Sequence, residues 1–266
     1  MLKDITIGQY FPGKSFVHRL DPRFKIIITA FYITLLFSAK EMIGLLAGIV
    51  YLVAAYLVSG IPFKMMLKGL KPIVPIIIFT SILNLFFIDG IVVFRLWILK
   101  ITDEGIKMSV FMVIRIICLI AGTSLLTYTT SPIALTDAIE RLFSPLKKLK
   151  VPVHELAMMM TIALRFIPTL IEETDKIMSA QKARGADLET GGLMQRAKAL
   201  VPILIPLFVS AFRRAEELAL AMECRCYHGG EGRTRLRQLK SGWADYVSLG
   251  ITLFFLDAVV AINCFF

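Results

Sequence analysis

Apolar residues arrive in blocks long enough to cross a lipid bilayer, and no other feature narrows the fold as much. A spanning helix needs roughly 20 mainly apolar residues at about 1.5 Å rise each. Five segments meet or approach that length: Phe24–Ala39, Met42–Ser59, Pro72–Ile88, Gly105–Tyr128 and Tyr246–Phe266. In hydrocarbon each backbone N–H and C=O must be satisfied by the protein itself, and unalternating blocks do this as helices. The expected class is an all-α membrane protein of about five transmembrane helices, with further long helices described below. Only 19% of the 266 residues are charged and 57% are hydrophobic, against about 25% charged in soluble domains.

The formal net charge is +10, and the distribution of Lys and Arg sets the orientation. The polar N-terminal arm carries Lys3, Lys14, Arg19, Arg23 and Lys25, and the loop after the second span carries Lys64, Lys68 and Lys71. Arg141, Lys147, Lys148 and Lys150 follow the fourth span. The break at Lys40-Glu41 and the loop Asp89–Glu104 are balanced or weakly charged. One orientation satisfies all of these: a multi-pass protein of the cell membrane with its N-terminus cytoplasmic and its C-terminus outside. The arm lacks the apolar core and cleavage site of a signal peptide. The basic charge lies between apolar blocks and no nucleic-acid motif accompanies it, so membrane lipid is expected as its surroundings and nucleic acid is not expected as a partner. Cys118, Cys224, Cys226 and Cys264 do not suggest a disulfide framework. Three regions result: residues 1–128, a membrane domain of four spans; residues 129–242, a cytoplasmic helical domain; and residues 243–266, a final transmembrane helix.

The middle region reads as three helices. Ser131 is a plausible N-cap for Pro132–Phe143, with Pro132 at the first helical position. Pro145 and Pro152 then break the chain. His154–Arg184 and Leu193–Cys226 follow, separated by Gly185 and Gly191-Gly192. Each long helix extends roughly 45–50 Å, bent by Pro168 in one and Pro202 and Pro206 in the other. Their apolar runs, His154–Ile171 and Val201–Phe212, are short or charged for spans. Amphipathic helices at the cytoplasmic surface are the favoured reading. Two further spans are the alternative, and loop charge does not decide between them.

The two long helices end alike. One closes with Lys182-Ala183-Arg184-Gly185, the other with Glu223-Cys224-Arg225-Cys226, with Gly229-Gly230 shortly after. Capping is one reading: a cation near a helix C-terminus contributes about 0.3–1 kcal/mol. Docking is the other: small neighbours let a helix end enter a narrow groove, and a guanidinium fork pairs with partner carboxylates or carbonyls. Two such ends suit two similar partners.

These pieces carry a resemblance. The chain resembles the transmembrane T component of energy-coupling factor (ECF) transporters, the EcfT/CbiQ family. The matching stretches are Arg19-Leu20-Asp21-Pro22-Arg23-Phe24-Lys25, Thr129-Thr130-Ser131-Pro132, Leu164-Arg165-Phe166-Ile167-Pro168 and the two arginine motifs, Ala183-Arg184-Gly185 and Cys224-Arg225-Cys226. The resemblance covers nearly the whole chain, and the order and spacing of the pieces is more specific than any one of them. It implies a transmembrane coupling subunit of an ECF-type ABC importer for vitamins or other micronutrients. It further implies that the arginine motifs end coupling helices and bind two ATPase subunits, EcfA and EcfA′, with Arg184 and Arg225 as anchors. A third implied partner is a small substrate-binding S component. Met158, Met159, Met160, Leu164, Leu204, Leu207 and Phe208 are candidates to meet it, unless they only pack one long helix on the other. Cysteines flank the second arginine where Ala and Gly flank the first, a minor departure.

Catalytic readings fail on the residues. His154-Glu155 begins a zinc-protease pattern, but Met158 stands where the second His is needed. Cys224, Cys226 and His228 lack a fourth ligand and the usual zinc spacing. Glu172-Glu173 resembles the start of an intramembrane protease motif without a supporting His cluster. No phosphate-binding loop occurs, so the chain is expected to be a non-catalytic subunit with no cofactor of its own, ATP and Mg residing in the ATPases. An ABC permease lining its own path would show more polar span residues than Asn84, Arg115 and Asp257. Arg115, near the middle of the fourth span, needs a partner inside the protein, either Asn84 or backbone carbonyls.

Overall fold

The computed structural model describes residues 10–96, 99–186, 192–229 and 239–265. Lys3, Gly191, Gly230 and Phe266, named above, lie outside the described residues. Along the chain run α1 (Phe16–Arg19), α2 (Pro22–Ser38), α3 (Met42–Ser59), α4 (Phe63–Leu70) and α5 (Val74–Phe87). The strands β1 (Val92–Leu96) and β2 (Leu99–Thr102) come next. Then follow α6 (Asp103–Thr129), α7 (Pro132–Leu142), α8 (Val153–Ala183), α9 (Leu193–Glu223) and α10 (Trp243–Phe265). The class is all-α, as expected, with one small hairpin.

Among the described residues, five helical stretches are long and apolar enough to cross a membrane: Met42–Ser59, Phe63–Phe87, Asp103–Thr129, Val153–Ala183 and Trp243–Cys264. The tally agrees with the sequence and its membership differs. Helix α2 has 17 residues and falls short, because Asp21-Pro22 and the Lys40-Glu41 break confine it. Helix α8 qualifies, because its charges gather in its C-terminal half and leave an apolar stretch before Glu172.

Two loops expected from sequence are not plain loops. Lys64 and Lys68 lie on α4, and Lys71 opens a 3₁₀ turn (Lys71–Ile73) that leads into α5. Pro72 and Pro75 sit at the starts of these elements, where a missing N–H leaves no gap. The stretch 89–104 contains the antiparallel β1–β2 pair, with Val92 opposite Thr102 and Leu96 opposite Leu99.

The chain divides into two compact units, Gly8–Leu135 with Gln238–Phe266, and Thr136–Arg237. In the first, α2 packs against α3, α6 and α10, and Tyr32, Leu35, Leu36, Leu45, Tyr128 and Val259 are buried. Helices in lipid gain little from hydrophobic burial against one another, so close packing and internal hydrogen bonds hold them. Gly122 permits the closest approach: a Cβ there would lie 2.3 Å from Tyr32 Cε1. Buried hydroxyls are spent on backbone carbonyls, Tyr56 on Ala121 at 2.9 Å and Tyr128 on Met65 at 3.0 Å. Arg115 donates to the Ala39 carbonyl at the end of α2 and lies 4.4 Å from the Phe111 ring centroid. Its partner is thus a backbone carbonyl and not Asn84.

Local chemistry explains where α2 starts. Asp21 caps it, accepting from the Arg23 amide at 2.9 Å, with Pro22 at the first helical position. Arg23 returns to Asp21 through its side chain at 2.7 Å, which raises the guanidinium pKa further. Asp245, at the start of α10, accepts from the Asp21 amide at 2.8 Å and the Gly242 amide at 2.7 Å. One buried carboxylate therefore ties the start of α2 to the start of α10.

Candidate functional site

The two arginine motifs fold into one and the same structure. At the end of α8 the Gly185 amide bonds the Lys182 carbonyl at 3.0 Å, and the Ala186 amide bonds Gln181 at 3.0 Å. At the end of α9 the Cys226 amide bonds Glu223 at 2.8 Å, and the Tyr227 amide bonds Met222 at 3.1 Å. Both are Schellman caps, in which the two residues after the C-cap return to carbonyls of the last turn. Arg184 and Arg225 occupy the same place in the two turns, one residue before the first of these cap amides. The next residue is left-handed in both, Gly185 at φ 86° and Cys226 at φ 52°.

This geometry determines what the tips present. The caps satisfy the backbone carbonyls that an exposed helix end leaves open, so the arginine side chains are not needed for that task. Ala183, Arg184, Gly185, Cys224, Arg225 and Cys226 are all exposed. Among the described residues, neither guanidinium has an ion-pair or hydrogen-bond partner. Each tip thus presents a planar cation, unpaired among the described residues, between small immediate neighbours: Ala183 and Gly185 at one, Cys224 and Cys226 at the other.

The candidate apolar surface divides by exposure. Met159, Met160, Leu204 and Phe208 are exposed, whereas Met158, Leu164 and Leu207 are half-buried. The sequence reading passed over a longer stripe on α9. Val201, Ile205, Phe208 and Phe212 recur at helical spacing and all are exposed. The signal was present in the Val201–Phe212 run, but Pro202 and Pro206 masked its period.

Sequence reasoning also missed a polar contact between the helices. Glu173 of α8 accepts from the Ser210 hydroxyl and from Arg214 Nη2 of α9, the latter at 2.9 Å. Gln181 Nε2 donates to the Pro202 carbonyl at 3.3 Å. Elsewhere, His154 pairs with Glu140 at 3.0 Å. No group of three or more His, Cys, Asp or Glu among the described residues is placed to hold a metal.

The family model described as "Cobalt transport protein" (CbiQ) matches residues 13–236. Relatives named energy-coupling factor transporter transmembrane protein EcfT match most of the chain, three of them as follows. That of Thermosediminibacter oceani is 58% identical over 244 residues, 92% of each chain. That of Ruminiclostridium cellulolyticum is 54% identical over 266 residues, the full length of both. That of Bacillus subtilis is 47% identical over 265 residues, 97% of this chain and all of the relative. With this extent of similarity and a membrane-spanning helical fold, the chain belongs to the CbiQ family of transport proteins, among its EcfT-type transmembrane components.

Proposed function

We propose that this subunit couples ATP hydrolysis in two separate ATPases, EcfA and EcfA′, to a separate membrane S component that captures a vitamin or other micronutrient. The single observation that carries the reading is the identity of the two caps. Each leaves one arginine that is unpaired among the described residues, at the end of a 31-residue helix. Arg184 and Arg225 dock in matching grooves on the two ATPases, and Ala183, Gly185, Cys224 and Cys226 permit close approach. ATP closes the ATPases on one another and moves the grooves. Helices α8 and α9 transmit that displacement as stiff elements, and their exposed apolar surface, Met159, Leu204 and Phe208 included, changes its fit to the S component. Nucleotide drives the cycle only through contacts that differ between the two states. The chain itself is non-catalytic, ATP and Mg belong to the ATPases, and the N-terminus faces the cytoplasm.

The test is a tagged transporter carrying Arg184→Ala with Arg225→Ala. The ATPases are expected to be lost from the purified complex and uptake to stop, while the subunit stays in the membrane at its usual level. Retention of both ATPases by the double variant removes the docking assignment.

A further inference from the structure

Where α8 and α9 meet, two polar links fix their relative direction. Glu173 is held by Ser210 and Arg214, residues one turn apart on α9. Eight residues further along α8, Gln181 bonds the carbonyl of Pro202, eight residues back from Ser210. The helices are therefore antiparallel over about 12 Å of contact. The second link has a clear cause. Pro206 has no N–H, so the Pro202 carbonyl lacks its helical donor, and Gln181 supplies one.

The positions of these residues along the helices are matched. Arg184 lies eleven residues after Glu173, and Arg225 lies eleven residues after Arg214. Each interval is about 16 Å of helix. Because the helices are antiparallel, the two tips lie in opposite directions from the ion pair. All three prolines inside the helices, Pro168, Pro202 and Pro206, precede the pair on their own helix. Neither segment leading to a tip, 173–184 or 214–225, contains one. On each helix the proline-containing stretch precedes the pair and a proline-free stretch runs to the tip, so Pro202 of α9 lies beside the proline-free arm of α8.

A carboxylate gripped on both oxygens, by charge on one and hydroxyl on the other, fixes rotation and register at one point more firmly than apolar packing does. Glu173 and Arg214 side chains are 23% and 34% exposed, so water only partly competes. We propose that Glu173 and Arg214 form the fulcrum of an equal-armed lever, positioning residues that hold the two arginine tips at matched distances from the crossing. Movement of one tip is then returned at the other without slip between the helices. This rests on the docking reading of Arg184 and Arg225.

The test uses the complete transporter in proteoliposomes and reads substrate taken up per ATP hydrolysed. General destabilisation lowers both rates together, whereas loss of the fulcrum lowers their ratio. In Glu173→Gln and in Arg214→Gln the ATPases are expected to co-purify normally and the ratio to fall on the order of tenfold. The charge-swapped double variant, Glu173→Arg with Arg214→Glu, is expected to recover most of it. An unchanged ratio in both single variants overturns the proposal. So does loss of the ATPases from either, because the pair would then maintain the docking surface itself. The docking reading fails on a different result, ATPases retained after both tip arginines are removed.

Discussion

Cys226 occupies a position that Gly185 fills at the other tip, and the exchange has a backbone cost. With φ at 52° the cysteine adopts a left-handed conformation, which costs an L-residue about 1–2 kcal/mol. Glycine avoids that cost but loses more conformational entropy on ordering. The balance predicts that Cys226→Gly stabilises its cap by about 0.5–1 kcal/mol. Nothing lies within 4 Å of a Cβ built at Gly185, so Gly185→Ala suffers the backbone penalty alone and loosens its cap by about 1 kcal/mol. Hydrogen exchange at the two cap donors measures both effects. The Tyr227 amide should slow in the first variant, and the Ala186 amide should speed up about fivefold in the second. If the two amides respond equally to both changes, the caps are not separate local structures.

At the scale of the helix, α9 depends on its neighbour to satisfy what its prolines leave open. Pro206→Ala restores an N–H to the Pro202 carbonyl and makes Gln181 redundant. Gln181→Ala should therefore cost about 1 kcal/mol in the native background and close to nothing beside Pro206→Ala. A double-mutant cycle on the unfolding of the purified subunit reads that coupling, and additive losses would show that Gln181 does not serve the proline. The same elements show which features a sequence declares. Asp21-Pro22 and Ser131-Pro132 mark helix starts because capping chemistry is local. The arginine tips were visible because the last residues of a helix stand next to one another in the chain. The Glu173–Arg214 contact joins residues 41 apart and requires the register of two helices, which no local pattern supplies. The extent of α4 was hidden for another reason: Lys64, Lys68 and Lys71 look like loop charge until the 3₁₀ turn at Pro72 joins them to the apolar helix that follows.

For the whole molecule, orientation across the bilayer is the property on which the proposed coupling depends, and the native cysteines can report it. Cys118 is buried, whereas Cys224, Cys226 and Cys264 are exposed. The first two exposed thiols flank a proposed docking arginine, and the third ends α10. Basic loops favour the cytoplasm, and the arm before α2 is basic, as is the stretch following α7. If those segments and both tips face the ATPases, Cys264 must lie at the opposite surface. A membrane-impermeant maleimide applied to intact spheroplasts is then expected to label the subunit only at Cys264. Applied to inside-out vesicles, it is expected to label Cys224 and Cys226 and leave Cys264 untouched. Single-cysteine variants assign each signal, and prior assembly with the ATPases should protect Cys224 and Cys226 while leaving Cys264 unchanged. Labelling of Cys224 or Cys226 from outside would put an arginine tip beyond reach of any nucleotide-driven partner, and no arrangement of the remaining helices could then rescue the coupling scheme.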